Sequence, residues 1–159
     1  MRVRDRLRDL GLPLPAAPAM PVTTSFSWVR VLGNRVMVSG HGAQQPDGAP
    51  AGPFGRVPDA VSLEQAQQSA RLAALAVIAS VEQAVGDLDR IDAWLTVTGF
   101  VQAEAGYPKT TAVLNSFSEV VLDVFGPSIG QHARTAIGAA ALPLDLPVIV
   151  AAELHLADR

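Results

Sequence analysis

The chain has 159 residues, of which 49% are hydrophobic and 17% charged, and its formal net charge is -3. This length and composition fit one globular domain with a full core and exclude disorder over most of the chain. The lack of cysteine excludes a disulfide framework, a thiolate zinc site and a cysteine nucleophile, and the acidic balance does not favour nucleic acid as a partner.

Residues 1–21 form a candidate extension ahead of a single domain over residues 22–159. Val3, Leu7 and Leu10 recur at helical spacing and Gly11 ends the pattern, so a short helix is predicted, followed by a proline-rich connector up to Pro21. The four arginines of "RVRDRLRD" are interpreted as a solvated face of this helix. No apolar stretch of secretory or membrane-spanning length follows, so we expect a soluble, cytoplasmic protein with no signal peptide.

The next elements are predicted to be a hairpin and a loop. Two apolar runs flank Gly33-Asn34 in "SFSWVRVLGNRVMVSG", and this type of dipeptide favours a tight turn between two antiparallel strands. A loop rich in Gly and Pro follows, with a short edge strand expected near Arg56 and Val57.

A long alanine-rich helix is predicted next. Ser62 and Gln65 have the spacing of a capping box at its start, and Gly86 ends it. Its apolar face consists of small residues, which allow close packing on a sheet: Ala66, Ala70, Ala73, Val77 and Val81.

The second half of the chain alternates strands with one more helix. In "IDAWLTVTGFVQ" we expect one side of a strand to carry Trp94, Thr96, Thr98 and Phe100, and the other side to carry Leu95 and Val97. A second core helix is predicted from near Pro108 to Gly126. Two final strands, "ARTAIGAAAL" and "PVIVAAELHL", are expected to form a hairpin joined at "PLDLP", with the last strand central.

This order predicts an α/β fold with a mixed sheet, built from βαβ crossovers and a hairpin at each end. Two helices cover only one face of such a sheet. The other face is expected to be buried against further copies of the chain.

Most catalytic motifs are missing from the sequence. His41, His132 and His155 are far apart and lack metal-ligand spacing, and no nucleotide-binding or nucleophile-elbow motif is present. Arg134 is the one charge in "QHARTAIGAAALP", a stretch typical of a buried or half-buried strand. From the residues alone it is a cation paired with Asp or Glu at a subunit interface, a solvated edge residue, or a group that binds a ligand.

Several strings together resemble the RidA/YjgF family of reactive-intermediate deaminases, which is also described as endoribonuclease L-PSP-like. They are "RVMVSGHGAQQPDG", "SLEQAQQSARLAALAVIASVEQAVGDLDRI", "NSFSEVVLDVFG" and "HARTAIGAAALPLDLPV", and the resemblance covers about Thr23 to Leu156. The segment "RVRDRLRDLGLPLP" resembles a longer, N-terminally extended subgroup. The resemblance implies a chorismate-mutase-like fold with two helices on one face of the sheet, a homotrimer with clefts between subunits, and no cofactor.

The resemblance also implies an activity and a site. Deaminating members hydrolyse 2-imino and enamino acids to 2-keto acids and ammonia. Arg134 aligns with the arginine that binds the substrate carboxylate in a fork of two hydrogen bonds, and backbone groups at Ala136 would position the attacking water. The other residues that match the family's substrate-binding positions are Phe26, Ser39 and Asn115, with Gly40 as a further candidate.

Two positions depart from the family pattern. Phe26 lacks the hydroxyl of the tyrosine found in many members, and Ile149 stands where several members have a glutamate. Glu153 lies on the same strand face as Ile149 and is either a substitute carboxylate or a solvated residue. A non-catalytic trimer that binds a small carboxylate or a protein partner is therefore the alternative to a deaminase. A ribonuclease is less favoured.

Overall fold

The computed structural model, which describes residues 1–158, contains one five-stranded mixed sheet in the order β1-β2-β5-β3-β4. Two long helices cover one face of this sheet, as the sequence predicts. The elements are α1 (Val3–Asp9), β1 (Val29–Leu32), β2 (Arg35–His41), α2 (Leu63–Val85), β3 (Ile91–Gln102), α3 (Thr110–Gly130), β4 (Ala133–Ala139) and β5 (Val148–Leu156).

The predicted first hairpin is confirmed. Leu32 faces Arg35 across the turn, and Gly33 has a φ of 59°, a backbone conformation that glycine adopts at little cost. The edge strand expected near Val57 is reduced to a single parallel bridge between Val57 and Ala103.

Helix α2 begins and packs as predicted. Oγ of Ser62 accepts from the backbone N–H of Gln65 at 3.1 Å, and Oε1 of Gln65 accepts from the N–H of Ser62 at 3.0 Å, which completes the capping box. Gly86 ends the helix with a φ of 83°. The five small residues of the predicted face are all fully buried: Ala66, Ala70, Ala73, Val77 and Val81.

The predicted alternation of β3 is wrong at its start. The register between β3 and β5 shifts between Trp94 and Thr96, which marks a β-bulge. The extra residue turns both Trp94 and Val97 toward the helices, where they are 2% and 1% exposed. Thr98 and Phe100 are half-buried and alternate with buried neighbours, so they lie on the sheet face opposite the helices. Trp94 therefore does not share a side of the strand with them, contrary to the prediction.

The predicted hairpin of the last two strands is also wrong. β4 pairs in parallel with β3 and forms one edge of the sheet, and it ends at Ala139 rather than Leu142. β5 is central, as predicted, but it is inserted between β2 and β3 and runs antiparallel to both. The physical reason is that the β3-α3-β4 crossover places β4 beside β3, so the chain must pass the end of β3 to reach the position of β5.

Gln102 holds the linker that makes this passage. Its side chain is 3% exposed, its Nε2 donates to Oδ1 of Asp145 at 2.6 Å, and its Oε1 accepts from the N–H of Leu142 at 2.8 Å. A buried amide with both ends satisfied stabilises this irregular segment.

Helix α3 breaks where the sequence predicts its end. Gly126 has φ 79° and ψ 165°, which no helical residue adopts, and Pro127 follows it. One further turn then continues to Gly130 before β4 begins.

The arginines of α1 do not all form a solvated face. Val3 and Leu7 are buried in the main core, which turns Arg2 and Arg4 toward the carboxylates at the end of α2. Nε of Arg2 lies 2.6 Å from Oδ2 of Asp89, and Nε of Arg4 lies 2.5 Å from Oε1 of Glu82. The side chains of Arg2 and Arg4 nevertheless remain 66% and 68% exposed, so the predicted solvated face is confirmed for them, and Arg6 is the half-buried exception.

The sheet face opposite the helices is covered by neither helix. Its residues are half-buried, as shown by the alternation of buried and half-buried residues along β5. Within residues 1–158, no helix combines the length and apolar character needed to cross a bilayer.

Candidate functional site

Arg134 lies on the edge strand β4 and its side chain is directed against α3. It is paired in register with Val97 of β3, which also faces the helices. Nη1 donates to Oγ of Ser118 at 2.9 Å, and Nη2 donates to Oδ1 of Asn115 at 2.9 Å. A longer contact of 3.5 Å joins Nη2 to the carbonyl oxygen of Thr111. These acceptors follow one another at i, i+4 and i+7 on α3, so they form one stripe of the helix.

The partners of Arg134 are all electrically neutral. Among residues 1–158, no Asp or Glu oxygen lies within ion-pair distance of its guanidinium. Burial lowers the pKa of Arg134 from its ordinary value, and an arginine nevertheless stays charged at neutral pH. Arg134 therefore has no ion pair within residues 1–158, and its pairing with Asp or Glu at a subunit interface stays a prediction.

The guanidinium retains donors for a ligand. Of the five N–H groups of an arginine, three make the contacts with α3, which leaves two without an acceptor among the described residues. A half-buried cation with neutral partners and spare donors has the chemistry of a carboxylate-binding group.

Ala136 lies two residues beyond Arg134 and also faces α3. Its carbonyl oxygen accepts from Oγ1 of Thr110 at 3.1 Å. A carbonyl oxygen has two lone pairs, so one acceptor position remains for a water. The sequence does not predict Thr110 or Ser118: Ser118 has a helical spacing of three residues from Asn115, whereas Thr110, five residues before Asn115, has no such signal.

Ser39 lies toward the opposite edge of the sheet from Arg134. Oγ of Ser39, on β2, donates to the carbonyl oxygen of Ser27 at 2.7 Å. Because β5 and β3 lie between β2 and β4, Ser39 and Arg134 are separated by three strand spacings, or about 14 Å. Within one chain the structure brings Arg134, Asn115 and Ala136 together, but it does not bring Ser39 to them.

Phe26 and Gly40 border an apolar cavity of about 280 Å³ near β2. Phe26 is 54% exposed and contacts Trp28 edge to face, with ring centroids 4.9 Å apart. A Cβ on Gly40 would lie 2.6 Å from Cγ2 of Ile149, so the backbone of β2 and this side chain are in close contact. No Asp, Glu, Lys or Arg lines the cavity.

His41 forms part of the wall of this cavity and is 1% exposed. Its Nδ1 lies 2.6 Å from the carbonyl oxygen of Ser39 and its Nε2 lies 2.8 Å from Oγ of Ser80. Burial lowers the pKa of His41 from its ordinary value of 6.5, so the ring is neutral at pH 7. Both ring nitrogens already have partners, so His41 is a structural residue of the wall.

Glu153 shares the open face of β5 with Ile149, as predicted. Its Oε1 accepts from Nε of Arg35 at 2.7 Å, and Nη2 of Arg35 contacts the same oxygen. The carboxylate is therefore neutralised by a cation from β2.

Comparisons with known proteins place the chain among relatives along nearly its whole length. Protein TCP17 of Trypanosoma cruzi is 36% identical over 156 residues, which are 98% of this chain and 94% of that protein. The crystal structure of Atu1372 from Agrobacterium tumefaciens, a protein of unknown function, is 31% identical with a TM-score of 0.87 and covers 98% of this chain and 92% of its own. No family model matches the chain.

The fold is also that of more distant solved structures. The YjgF gene product of Escherichia coli has a TM-score of 0.61 at 21% identity, and the match covers 87% of this chain and 92% of its own. TdcF of Escherichia coli, solved with bound serine, has a TM-score of 0.63 at 18% identity, and the match covers 89% of this chain and 94% of its own. The chain has the fold of the YjgF/RidA family.

Two relatives match nearly the whole chain, including most of its N-terminal extension. A match over 98% of the chain includes most of residues 1–21, so TCP17 and Atu1372 share the extension. The YjgF and TdcF structures match a smaller part of the chain and have lower TM-scores than Atu1372. That such proteins form a longer subgroup, as "RVRDRLRDLGLPLP" indicates, stays a prediction.

Proposed function

We propose that this protein of YjgF/RidA fold hydrolyses reactive 2-imino and enamino acids to 2-keto acids and ammonia, with Arg134 binding the substrate carboxylate. The observation that carries the proposal is the state of Arg134, a half-buried cation with neutral partners and two spare N–H donors. TdcF shares the fold and was solved with bound serine, which supports a small amino-acid-like ligand.

The hydrolysis of an imine needs only orientation and electrostatic stabilisation from the protein. The oxygen of a water adds to C2 of the imine, the nitrogen takes a proton, and the C–N bond then breaks to leave the keto acid and ammonia. Arg134 neutralises the carboxylate, which reduces electron density at the neighbouring C2 and fixes the direction of approach. No strong nucleophile is required, which agrees with the neutral hydroxyl and amide groups that contact Arg134.

Ala136 is proposed to position the water. Thr110 occupies one lone pair of its carbonyl oxygen and ties the start of α3 to β4. The second lone pair accepts a hydrogen bond from a water near the substrate, which orients the water oxygen toward C2. The side chain of Ala136 takes no part.

A homotrimer with clefts between subunits is proposed to complete the site. Ser39 and Phe26 are separated from Arg134 by the width of the sheet in one chain, and a neighbouring subunit would supply them across a cleft. The uncovered sheet face provides a surface for such contacts, because its residues are only half-buried in the single chain.

A non-catalytic protein that binds a small carboxylate is the second candidate function. Ile149 has no proton to give or take, and Arg35 already neutralises Glu153. If the reaction requires a carboxylate at either position, this chain binds its ligand without turnover. A ribonuclease remains the third candidate, and it lacks support because the buried His41 has both ring nitrogens occupied.

The test measures keto acid formation from 2-iminopropionate generated in situ, with Arg134→Ala beside the wild type. Arg71→Ala is the matched control, because Arg71 is an exposed arginine paired with Glu119 on the helix surface. We expect wild type and R71A to accelerate hydrolysis, and R134A to leave it at the spontaneous rate. Equal rates for R134A and wild type would remove Arg134 from the mechanism.

The same samples distinguish the other candidates. Binding of pyruvate without acceleration of imine hydrolysis would indicate the non-catalytic protein. Cleavage of added RNA by the wild type would support the ribonuclease, and we expect none.

A further inference from the structure

A chain of hydrogen bonds leads from Arg134 into the protein. Nη1 of Arg134 donates to Oγ of Ser118 at 2.9 Å, and this oxygen lies 2.8 Å from Nε2 of His132. Nδ1 of His132 lies 2.6 Å from the carbonyl oxygen of Gly130 at the end of α3.

The direction of each hydrogen bond follows from the atoms. A carbonyl oxygen only accepts, so Nδ1 of His132 carries the ring hydrogen and Nε2 of the neutral ring is an acceptor. The hydroxyl of Ser118 therefore donates to Nε2, which turns its lone pairs toward Nη1 of Arg134. The neutral form of His132 is maintained because burial, with a smaller effect of the charge on Arg134, lowers its pKa.

Two hydrogen bonds to α3 hold the guanidinium of Arg134. Ser118 holds Nη1 and Asn115 holds Nη2, and these two contacts, together with the side-chain stem, restrict the plane in which the spare N–H groups lie. Arginine loses considerable rotamer freedom when it binds a ligand, and a guanidinium that is already held loses less.

We propose that Ser118 and His132 are positioning residues for Arg134, in which the ring of His132 orients the Ser118 hydroxyl and that hydroxyl fixes the guanidinium in its ligand-binding direction. The proposal rests on the proposed function for its consequence in catalysis. The positioning itself is a property of the ligand-free protein.

Two matched pairs of variants test it. Ser118→Ala removes the hydroxyl, and Ser118→Thr keeps it. His132→Asn keeps a donor near the position of Nδ1, toward Gly130, but loses the acceptor toward Ser118. His132→Gln keeps an acceptor near the position of Nε2. If the positioning is real, S118A and H132N share one defect, and S118T and H132Q restore the wild-type behaviour.

The first measurement needs no substrate. The order parameter of the Arg134 Nε–H bond, from ¹⁵N relaxation, is expected to fall in S118A and H132N and to stay near the wild-type value in S118T and H132Q. An unchanged order parameter in S118A would overturn the proposal. This comparison remains decisive even if the wild type shows no imine hydrolysis, so a failure of the proposed function is distinguishable.

The second measurement uses the imine assay. We expect S118A and H132N to raise KM about ten- to hundred-fold, the size of effect that loss of one hydrogen bond to a charged group produces, with kcat changed less. The double variant S118A/H132N is expected to be no worse than S118A, because both changes break the same chain of hydrogen bonds. Additive effects of the two substitutions would contradict the proposal.

Discussion

Oδ1 of Asn115 lies 2.9 Å from Nη2 of Arg134, so the guanidinium is held by a neutral amide where a carboxylate would fit equally well. Asn115→Asp would place a negative charge at this distance and form an ion pair inside the chain. A ligand carboxylate would then compete with Asp for the same cation. We expect N115D to raise the Kd for pyruvate at least ten-fold without lowering the melting temperature.

The control for this variant is Gln83→Glu, which makes the same chemical change on an exposed position of α2. Isothermal titration of both variants with pyruvate measures the effect, and Q83E is expected to bind as the wild type does. Wild-type affinity in N115D would show that the ligand carboxylate does not use the guanidinium.

The buried ring of His41 predicts a loss of stability in acid. Its pKa in the folded protein is lowered by burial from 6.5, so the unfolded chain takes up a proton at a higher pH than the folded chain does. The stability that the neutral ring provides is present above pH 6.5 and is lost as the pH falls below that value toward the folded pKa. Because the pKa of His132 is lowered in the same sense, both rings contribute.

Urea unfolding at pH 7.5 and pH 5.5 measures this effect. We expect the free energy of unfolding to fall between the two values of pH, and the fall to be smaller in His132→Gln, which removes one of the two rings. A free energy that rises toward pH 5.5 would contradict the inferred neutral state of these histidines.

Gly99 sets the distance between β3 and α3. A Cβ at this position would lie 2.3 Å from Cδ1 of Leu114, which is fully buried. Gly99→Ala therefore overpacks the core and pushes α3 away from the sheet, at an expected cost of about 1–3 kcal/mol. Since α3 carries Asn115, we also expect weaker ligand binding.

Gly138→Ala is the matched control for this variant. Gly138 lies on the edge strand β4, and a Cβ there would meet nothing closer than 3.9 Å. Its melting temperature and its pyruvate affinity are expected to stay near the wild-type values. If G99A matched G138A in both measurements, the close contact of β3 with α3 would not control the site.

The sequence predicts what depends on neighbouring residues and misses what depends on distant ones. The capping box at Ser62 and the turn at Gly33 are local, because the interactions that form them lie within a few residues. The pairing of β4 with β3 is not local, because several apolar strands compete for the same place. The bulge beside Trp94 likewise depends on the partner strand β5.

The candidate site is likewise predicted from the sequence only in part. Arg134 is conspicuous in the sequence as a lone charge, but Asn115 is a candidate only through the family resemblance, and nothing in the sequence predicts that their side chains pair. Ser118 lies one helical turn beyond Asn115, and nothing in the sequence shows that this side of α3 faces β4. His132 has no metal-ligand or catalytic spacing in the sequence, and only its contact with Ser118 gives it a role.

Helix α1 is predicted to stabilise the fold through the side chains that it buries in the core. Leu7 is 3% exposed in the main core, while Leu10, at the end of the same helix, is 47% exposed. Leu7→Ala removes packed atoms and leaves a cavity, which costs about 2–5 kcal/mol, whereas Leu10→Ala removes exposed atoms and is expected to change stability by less than about 0.5 kcal/mol. Urea unfolding of the two variants compares the same chemical change at a buried and an exposed position of one helix. Equal stability of L7A and L10A would show that α1 is not packed on the core, and the extension shared with TCP17 and Atu1372 would then need another role.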